Sequence, residues 1–426
     1  MLMILTFDKQ TILQFDVIPP LYLPFLNLNG VQDYYKYDQF DVDPFHVWAG
    51  TTSGSPILIA GDAFFGFMNE TGGRFSYDAR GILTITCPAG QTLYYNEHCN
   101  PFAEWELYNQ EIRKNFPKQN QEAFWNNLEY CTWVEQKKDA VLGGNLENQA
   151  PLCEQFVYDY MKRIDKMKLP KGKLTIDDGW DIRYAPSGRR VYGNWEIDRV
   201  KFPHMEQLVK DMKEEGFEPG LWFAPFTLTP NSDLALKYPH LIGDVWNRDF
   251  RWHFIKPDPV LYEYYTQIFT KYVEMGFRKF KLDIAYGIKS DMKQLLAMIQ
   301  EIVKKLDPTI ELECHVPDIF VSRYCDTVRL NDVGFEQAWK MVTIEHYRNC
   351  RYSSSDKILN LDHLGTNTPI SNVEDYLEHT KMLLSLKNGY PCVSLLPDLF
   401  GQAATDIFVG CIKEWYEQYK PKNLLR

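Results

Sequence analysis

Residues 277–287 read FRKFKLDIAYG. Within them, Phe280-Lys281-Leu282-Asp283 alternates apolar and polar residues with the period of a β-strand. Lys281 and Asp283 therefore leave the same face. An ammonium and a carboxylate so placed can hold a sugar hydroxyl and a reacting carbon together. The same two groups can also form a plain ion pair at the rim of a barrel. The rest of the chain supplies the context.

Short apolar runs recur on both sides of this strand, separated by amphipathic stretches. The spacing predicts strands at Leu128–Trp133, Lys173–Asp178, Pro219–Ala224, Lys279–Asp283, Ile310–His315, Thr327–Asn331, Lys357–Asp362 and Tyr390–Leu395. Between them, residues 152–168 carry Leu152, Phe156, Tyr160, Ile164 and Met167 at helical spacing. Residues 204–215, 259–275, 291–306, 334–349 and 373–387 behave alike. Strand and helix alternating in this way predict an α/β fold, a (β/α)8 TIM barrel spanning residues 113–426. Only about ten residues separate the fifth and sixth strands, which leaves room for a very short helix. The insertion from Asn231 to Pro259, with Trp246 and Trp252, is expected to form a loop over the barrel mouth.

Residues 1–112 read as a small antiparallel β-sandwich preceding the barrel. Runs such as Ile57-Leu58-Ile59 and Ile82-Leu83-Thr84-Ile85 sit between Gly, Pro, Asn and Asp, and Gln91 to Tyr95 is the expected partner of the second run. Residues 101–122 are charged and helical in character and cross into the barrel.

Composition narrows the function classes. A net charge of −11 without a basic block argues against nucleic acid or an anionic membrane as partner. The start, MLMILTFDKQ, lacks a basic segment and a long apolar core, so no secretory leader is expected. No apolar run approaches the ~18 residues of a membrane span. The nine cysteines are scattered without CxxC pairs, which fits a reduced, cytoplasmic protein. Aromatics make up 15% of the chain, which suits sugar faces as well as a large core.

A barrel of this kind carries its chemistry at the C-terminal ends of its strands. There the sequence places Trp133 with Glu135, Asp177-Asp178-Gly179-Trp180, Trp222, Lys281 with Asp283, Glu313-Cys314-His315, Arg329 with Asp332, Asp362-His363 and Asp398. Paired carboxylates grip vicinal hydroxyls, Lys and Arg donate, and Trp stacks on a sugar face. Two carboxylates across one glycosidic bond are also the minimum for glycoside hydrolysis. Simpler roles exist for several of these groups. Asp332 can cap the helix that follows it, and Asp177 and Asp178 can shape the loop around Gly179. His315 can be a satisfied core histidine, and Cys131 and Cys314 can be small barrel-interior residues.

As an ordered set, these motifs resemble the α-galactosidase (melibiase) families of retaining glycoside hydrolases and their raffinose-synthase relatives. The resemblance runs from about residue 124 to 400. It rests on Tyr130-Cys131-Thr132-Trp133, Ile176-Asp177-Asp178-Gly179-Trp180 with Gly193-Asn194-Trp195, Gly220-Leu221-Trp222, Phe280-Lys281-Leu282-Asp283, Arg329 with Asp332, and Asn360-Leu361-Asp362. It implies that Asp283 is the nucleophile and Asp332 the general acid and base. Asp177, Asp178, Lys281 and Arg329 would bind sugar hydroxyls, with Trp133 stacking; Trp222 and His315 complete the expected substrate contacts. It implies no metal or other cofactor, and an oligosaccharide or simple glycoside as the partner.

Three features depart from the family. Asp332 follows Arg329 by three residues, not the four of many relatives, which makes Asp326 and Asp318 fallback acids. His315 stands where some relatives place a carboxylate or a small residue that senses the sugar's second carbon. The chain also ends soon after the last expected barrel helix, without the β domain that usually follows. A transglycosidase, or a barrel that binds sugar without turnover, fits the same residues. A metal-dependent hydrolase does not, since no His-x-His pair occurs at a strand end. The oligomeric state is not legible.

Overall fold

The computed structural model describes residues 2–27, 35–36, 39–47, 51–141, 152–183, 191–249, 251–284, 287–330, 338–361, 370 and 372–420. Its centre is a ring of parallel strands. They are Glu129–Cys131, Lys173–Ile176, Glu218–Phe223, Lys279–Leu282, Glu311–Cys314, Thr327–Arg329, Ile358–Asn360 and a two-part eighth strand, Gly389–Tyr390 and Cys392–Val393. Each pairs with the next in chain order, and Cys392–Val393 pairs back onto Glu129–Cys131, so the ring closes. All eight expected strands are present. The split falls at Pro391, which has no N–H to give to the ladder. Its carbonyl still accepts from the Glu129 amide at 3.1 Å.

Alternation along each strand sorts the side chains. Leu174, Leu221, Phe223, Phe280, Leu282, Leu312, Val328 and Leu359 are fully or almost fully buried in the barrel's apolar core. They pack with helices Glu154–Lys166, Met205–Glu214, Val260–Met275, Lys289–Leu306, Trp339–Ser353, Val373–Ser385 and Gln402–Tyr419. Burial of one such phenylalanine stabilises the fold by roughly 2–3 kcal/mol. Val260–Met275 stops at Gly276, whose φ of 115° lets the chain turn sharply into the fourth strand. Between the fifth and sixth strands lies only the 3-10 turn Ser322–Tyr324, the very short helix that the spacing requires.

The other residues of the alternation point inward, and they are polar. Below the barrel mouth, Lys279 Nζ reaches Glu313 at 2.5 Å and also pairs with Glu129. Lys173 Nζ meets Glu311 at 2.9 Å and lies over the Tyr390 ring at 3.4 Å. Asn360 donates to Glu129 and Glu313 at 2.9 and 2.6 Å. Thr175 donates to Glu129 at 2.6 Å and Thr327 to Glu311 at 2.8 Å. Ionised groups persist in such an interior only when partners replace their lost water.

The N-terminal region is a pair of antiparallel sheets. One contains Met3–Thr6, Thr92–Asn96, Ala63–Phe67 and Ile57–Ala60; the other contains Thr11–Asp16, Ile82–Cys87, Arg74–Tyr77 and Phe40–Val42. Their facing side chains form a separate apolar core around Phe65, Phe67, Phe75, Leu83 and Leu93. One expected pairing is corrected. Ile82–Cys87 pairs with Thr11–Asp16 and Arg74–Tyr77, whereas Thr92–Asn96 pairs with Met3–Thr6 and Ala63–Phe67 in the opposite sheet. The Pro88–Gly90 turn, with Gly90 at φ 81°, carries the chain between sheets instead of closing a hairpin.

Two more expectations are refined. Helix Pro101–Arg113, capped by the Asn100 side chain, stops at Arg113, so residues 114–122 continue without helix. It packs on the barrel by stacking Trp105 on Tyr352, ring centroids 5.4 Å apart. The insertion after the third strand is not a plain loop. Trp252–Ile255 pairs with Thr227–Leu228 and with Ile242–Asn247, while the Trp246 side chain lies outside the described residues. No helix among the described residues is long and apolar enough to cross a membrane.

Candidate active site

Asp283 follows the last residue of the fourth strand, and its amide donates to Phe223 O at 2.8 Å. Three donors hold its carboxylate. Trp222 Nε1 reaches Oδ2 at 3.0 Å, the Ile284 amide reaches Oδ1 at 2.7 Å, and His315 Nδ1 lies 2.7 Å from Oδ1. A carboxylate only accepts, so His315 Nδ1 carries the proton. Burial alone would raise the Asp283 pKa. The charges and hydrogen bond of His315, with Arg329 and Lys281, overcome this and hold it well below the usual carboxylate range. The side chain keeps 21% of its surface exposed, so the ionised group is reachable. Ile284 has φ 53°, a conformation costly for a β-branched residue, and this turn aims the carboxylate.

Beside this group, Lys281 Nζ binds Asp177 Oδ2 at 2.8 Å. The Cys131 thiol donates to the same oxygen at 3.1 Å. Thr132 Oγ1 accepts from the Asp177 amide at 2.9 Å and fixes the end of the second strand. Asp178 pairs with Arg183, which also reaches Asp181 at 2.6 Å. Burial raises the Asp178 carboxyl, Arg183 pulls the other way, and the negative charges of Asp177 and Asp283 push it further up. Arg183 stacks over Tyr192 at 4.2 Å and Trp222 at 5.4 Å. Trp252 of the insertion packs on Tyr192 at 5.0 Å, so the small extra sheet buttresses this cation.

The structure thus gathers Asp177, Asp178, Lys281, Asp283, Trp222, His315 and Arg329 at one end of the barrel. Trp222 is 1% exposed and acts on Asp283 through its indole N–H. Trp133 stands in the short helix Thr132–Gln136, half-buried, with Lys137 Nζ 4.5 Å from its ring centre. Asp332, Asn331, Asp362 and His363 lie outside the described residues. The fallback acids are both engaged in structure. Asp318 binds Lys289 at 2.5 Å and caps the Phe320 amide, while Asp326 binds Lys304 and the Leu312 amide. Glu135 and Asp398 share Arg163 as a partner.

Three members of the cluster escaped the sequence reading: Arg183, Lys137 and Asp181. Asp181 and Arg183 lie in the loop after the second strand, and Lys137 ends the short helix after the first. The only signal for Arg183 was its place soon after Asp177-Asp178-Gly179-Trp180, a segment that needs a cation to offset its carboxylates.

The site thus sets an ionised carboxylate, a lysine and an arginine at the C-terminal end of a closed parallel barrel. Residues 151–300 match the melibiase family. The α-galactosidase AgaA of Geobacillus stearothermophilus is 37% identical over 76 residues, 18% of this chain and 10% of that protein. The α-galactosidase Mel36A of Lactobacillus acidophilus is 27% identical over 172 residues, 38% and 22% of the two chains. Among solved structures, a GH31 dextranase of Flavobacterium johnsoniae complexed with glucose superposes with a TM-score of 0.69 at 13% identity, covering 98% of this chain and 55% of that one. The GH36 α-galactosidase AgaA in complex with raffinose gives 0.62 at 12% identity, covering 96% and 62%. The chain therefore spans little more than half the length of those structures, and these likenesses establish the fold. The family match itself is confined to residues 151–300, about a third of the chain.

Proposed function

We propose that this protein is a retaining glycoside hydrolase that removes a terminal α-linked, galactose-like sugar. The observation that carries this reading is Asp283, a reachable carboxylate held ionised by His315, Arg329 and Lys281 and oriented by Trp222. In this role Asp283 attacks the anomeric carbon as the leaving oxygen takes a proton from Asp332. A covalent glycosyl-enzyme results. Water then attacks the same carbon, Asp332 takes the water's proton, and Asp283 departs as carboxylate.

Attack neutralises the Asp283 charge while the sugar ring becomes positive. The site therefore needs anions near the ring and cations that bind hydroxyls without crowding the anomeric carbon. Asp177 and Asp178 supply the anions, and Lys281 and Arg183 hold them in place. In this reading Trp133 offers the half-buried aromatic face, and His315, bonded to Asp283, would meet the sugar at the carbon next to the reacting one.

The test is a panel of aryl α- and β-glycosides of galactose, N-acetylgalactosamine, L-arabinopyranose and glucose, run with the wild type and Asp283→Asn. Release from the α-galactoside is expected, with turnover falling by ~10³-fold or more in the variant while its thermal unfolding stays near wild type. Near-normal turnover in Asp283→Asn would sink the assignment. Adding a sugar acceptor and analysing products separates hydrolysis from transfer.

A further inference from the structure

At the opposite end of the barrel, beside the entry to the seventh strand, lies a cavity of about 590 Å³. Its wall joins the segment after helix Pro101–Arg113 to the 3-10 turn Ser322–Tyr324 and to Asp356-Lys357. Four cations line it, Arg113, Lys118, Arg323 and Lys357, against one carboxylate, Asp356. In a chain of net charge −11 this is a local reversal of sign. Asp356 is already shared, with Arg113 at 3.2 Å and Lys357 at 3.4 Å.

The two remaining cations differ from these. Arg323 has its guanidinium 4.4 Å from the Phe116 ring and 4.6 Å from the Tyr324 ring. Its Nη2 donates to the Tyr324 hydroxyl at 2.5 Å, and its Nε is buried with no hydrogen-bond partner among the described residues. Among the described residues, no carboxylate pairs with Arg323 or with the exposed Lys118. Gln119 ties the wall together, accepting from Lys357 Nζ and donating to Arg323 O. A guanidinium held flat by aromatic rings loses little freedom on binding, and its Nη1 end is left to donate to a phosphate oxygen.

We propose that this cavity binds a phosphorylated small molecule, with the phosphate on Arg323 and Lys118. The space exceeds what inorganic phosphate needs and falls in the range of small-ligand sites. Asn115, Gln121 and Gln300 line the remainder and suit hydroxyls on the organic part.

The experiment is calorimetric titration of the full chain with a hexose 6-phosphate and, separately, with inorganic phosphate. Saturable binding is expected, weakening as salt rises. Arg323→Gln should weaken it by about tenfold or more, and Lys118→Gln by a few-fold. A preference for the ester supports recognition of the organic part; equal affinities support a site that reads phosphate alone. Absence of binding by both probes, or affinities unchanged in both variants, overturns the proposal. Lys118 is exposed, so its variant keeps the test valid even where Arg323→Gln fails to fold. Glycoside turnover in Lys118→Gln should match wild type, since the cavity lies at the far end of the barrel from Asp283.

Discussion

The fourth strand carries Lys279 and Lys281 on one face, two residues apart, and they live differently. Lys279 is enclosed by Glu129 and Glu313, with Tyr390 OH at 3.2 Å, and is wholly buried. Lys281 is also buried, but it binds Asp177 and neighbours Asp283, whose carboxylate keeps exposed surface. The lower layer spends its charges on one another. The upper layer leaves an ionised carboxylate with exposed surface and a histidine whose Nε2 is buried with no partner among the described residues. Residue type does not separate a structural ion network from a reactive one. What separates them is access: Lys279, Glu129, Glu311 and Glu313 are sealed from solvent, whereas the Asp283 carboxylate keeps exposed surface.

Substitution at each lysine is the strongest way to break that comparison. Lys279→Met strips the central cation from Glu129 and Glu313. It should destabilise the fold by about 3–5 kcal/mol, read as a fall in the denaturant midpoint. Lys281→Met also breaks a buried pair, but Asp177 keeps the Cys131 thiol as a donor, so the midpoint should fall less than in Lys279→Met while kcat/KM on an aryl α-galactoside drops by ~10²-fold. If Lys281→Met were the variant that unfolds, the upper layer would be scaffold and the proposed site would lose its main support.

Glu218, at the start of the third strand, sharpens the lower layer's side of the comparison. Its Oε1 is buried with no partner among the described residues, and burial, with help from Glu311, pushes its carboxyl up to about 7. In the unfolded chain the same group releases its proton near pH ~4.3. Between these values the folded state binds more protons, so this group's contribution to stability falls as pH rises from about 4 to about 7. Glu218→Gln lacks that loss. The variant should gain on wild type by about 1–3 kcal/mol over this pH span, allowing for partial solvent screening, with thermal unfolding at several pH values as the readout. A difference that stays flat with pH would show that folding leaves the Glu218 pKa unshifted.

The eight strands were legible because polar residues at every second position, flanked by apolar ones, fix a face without knowledge of partners. Lys281, Asp283 and Asp177 followed from that pattern and their place at strand ends. The lower network was not legible. Lys173, Lys279, Glu311 and Glu313 carry the same alternation as the upper groups, and nothing local says that they meet one another across the barrel. The sandwich pairing failed for a similar reason, since Pro88–Gly90 permits either a hairpin or a crossing and only the distant strand Thr11–Asp16 decides. Arg183 was missed because a loop has no period to read.

Trp222 gives the smallest and most discriminating effect. Its indole N–H donates to Asp283 Oδ2, so it stabilises the charged carboxylate. Attack on the anomeric carbon consumes that charge, and the bond weakens toward the transition state. Trp222→Phe keeps an aromatic ring and removes the donor. Turnover near neutral pH should therefore change by no more than about tenfold, lost orientation being offset by a more reactive carboxylate. The loss of a donor to the charged form raises the Asp283 pKa, and turnover requires the ionised form. The acidic limb of kcat/KM should move to higher pH, opposite to the effect of adding a donor. An unchanged acidic limb would show that a different group sets it. A collapse of stability in Trp222→Phe would show that the upper layer, like the lower one, is built to hold the barrel together.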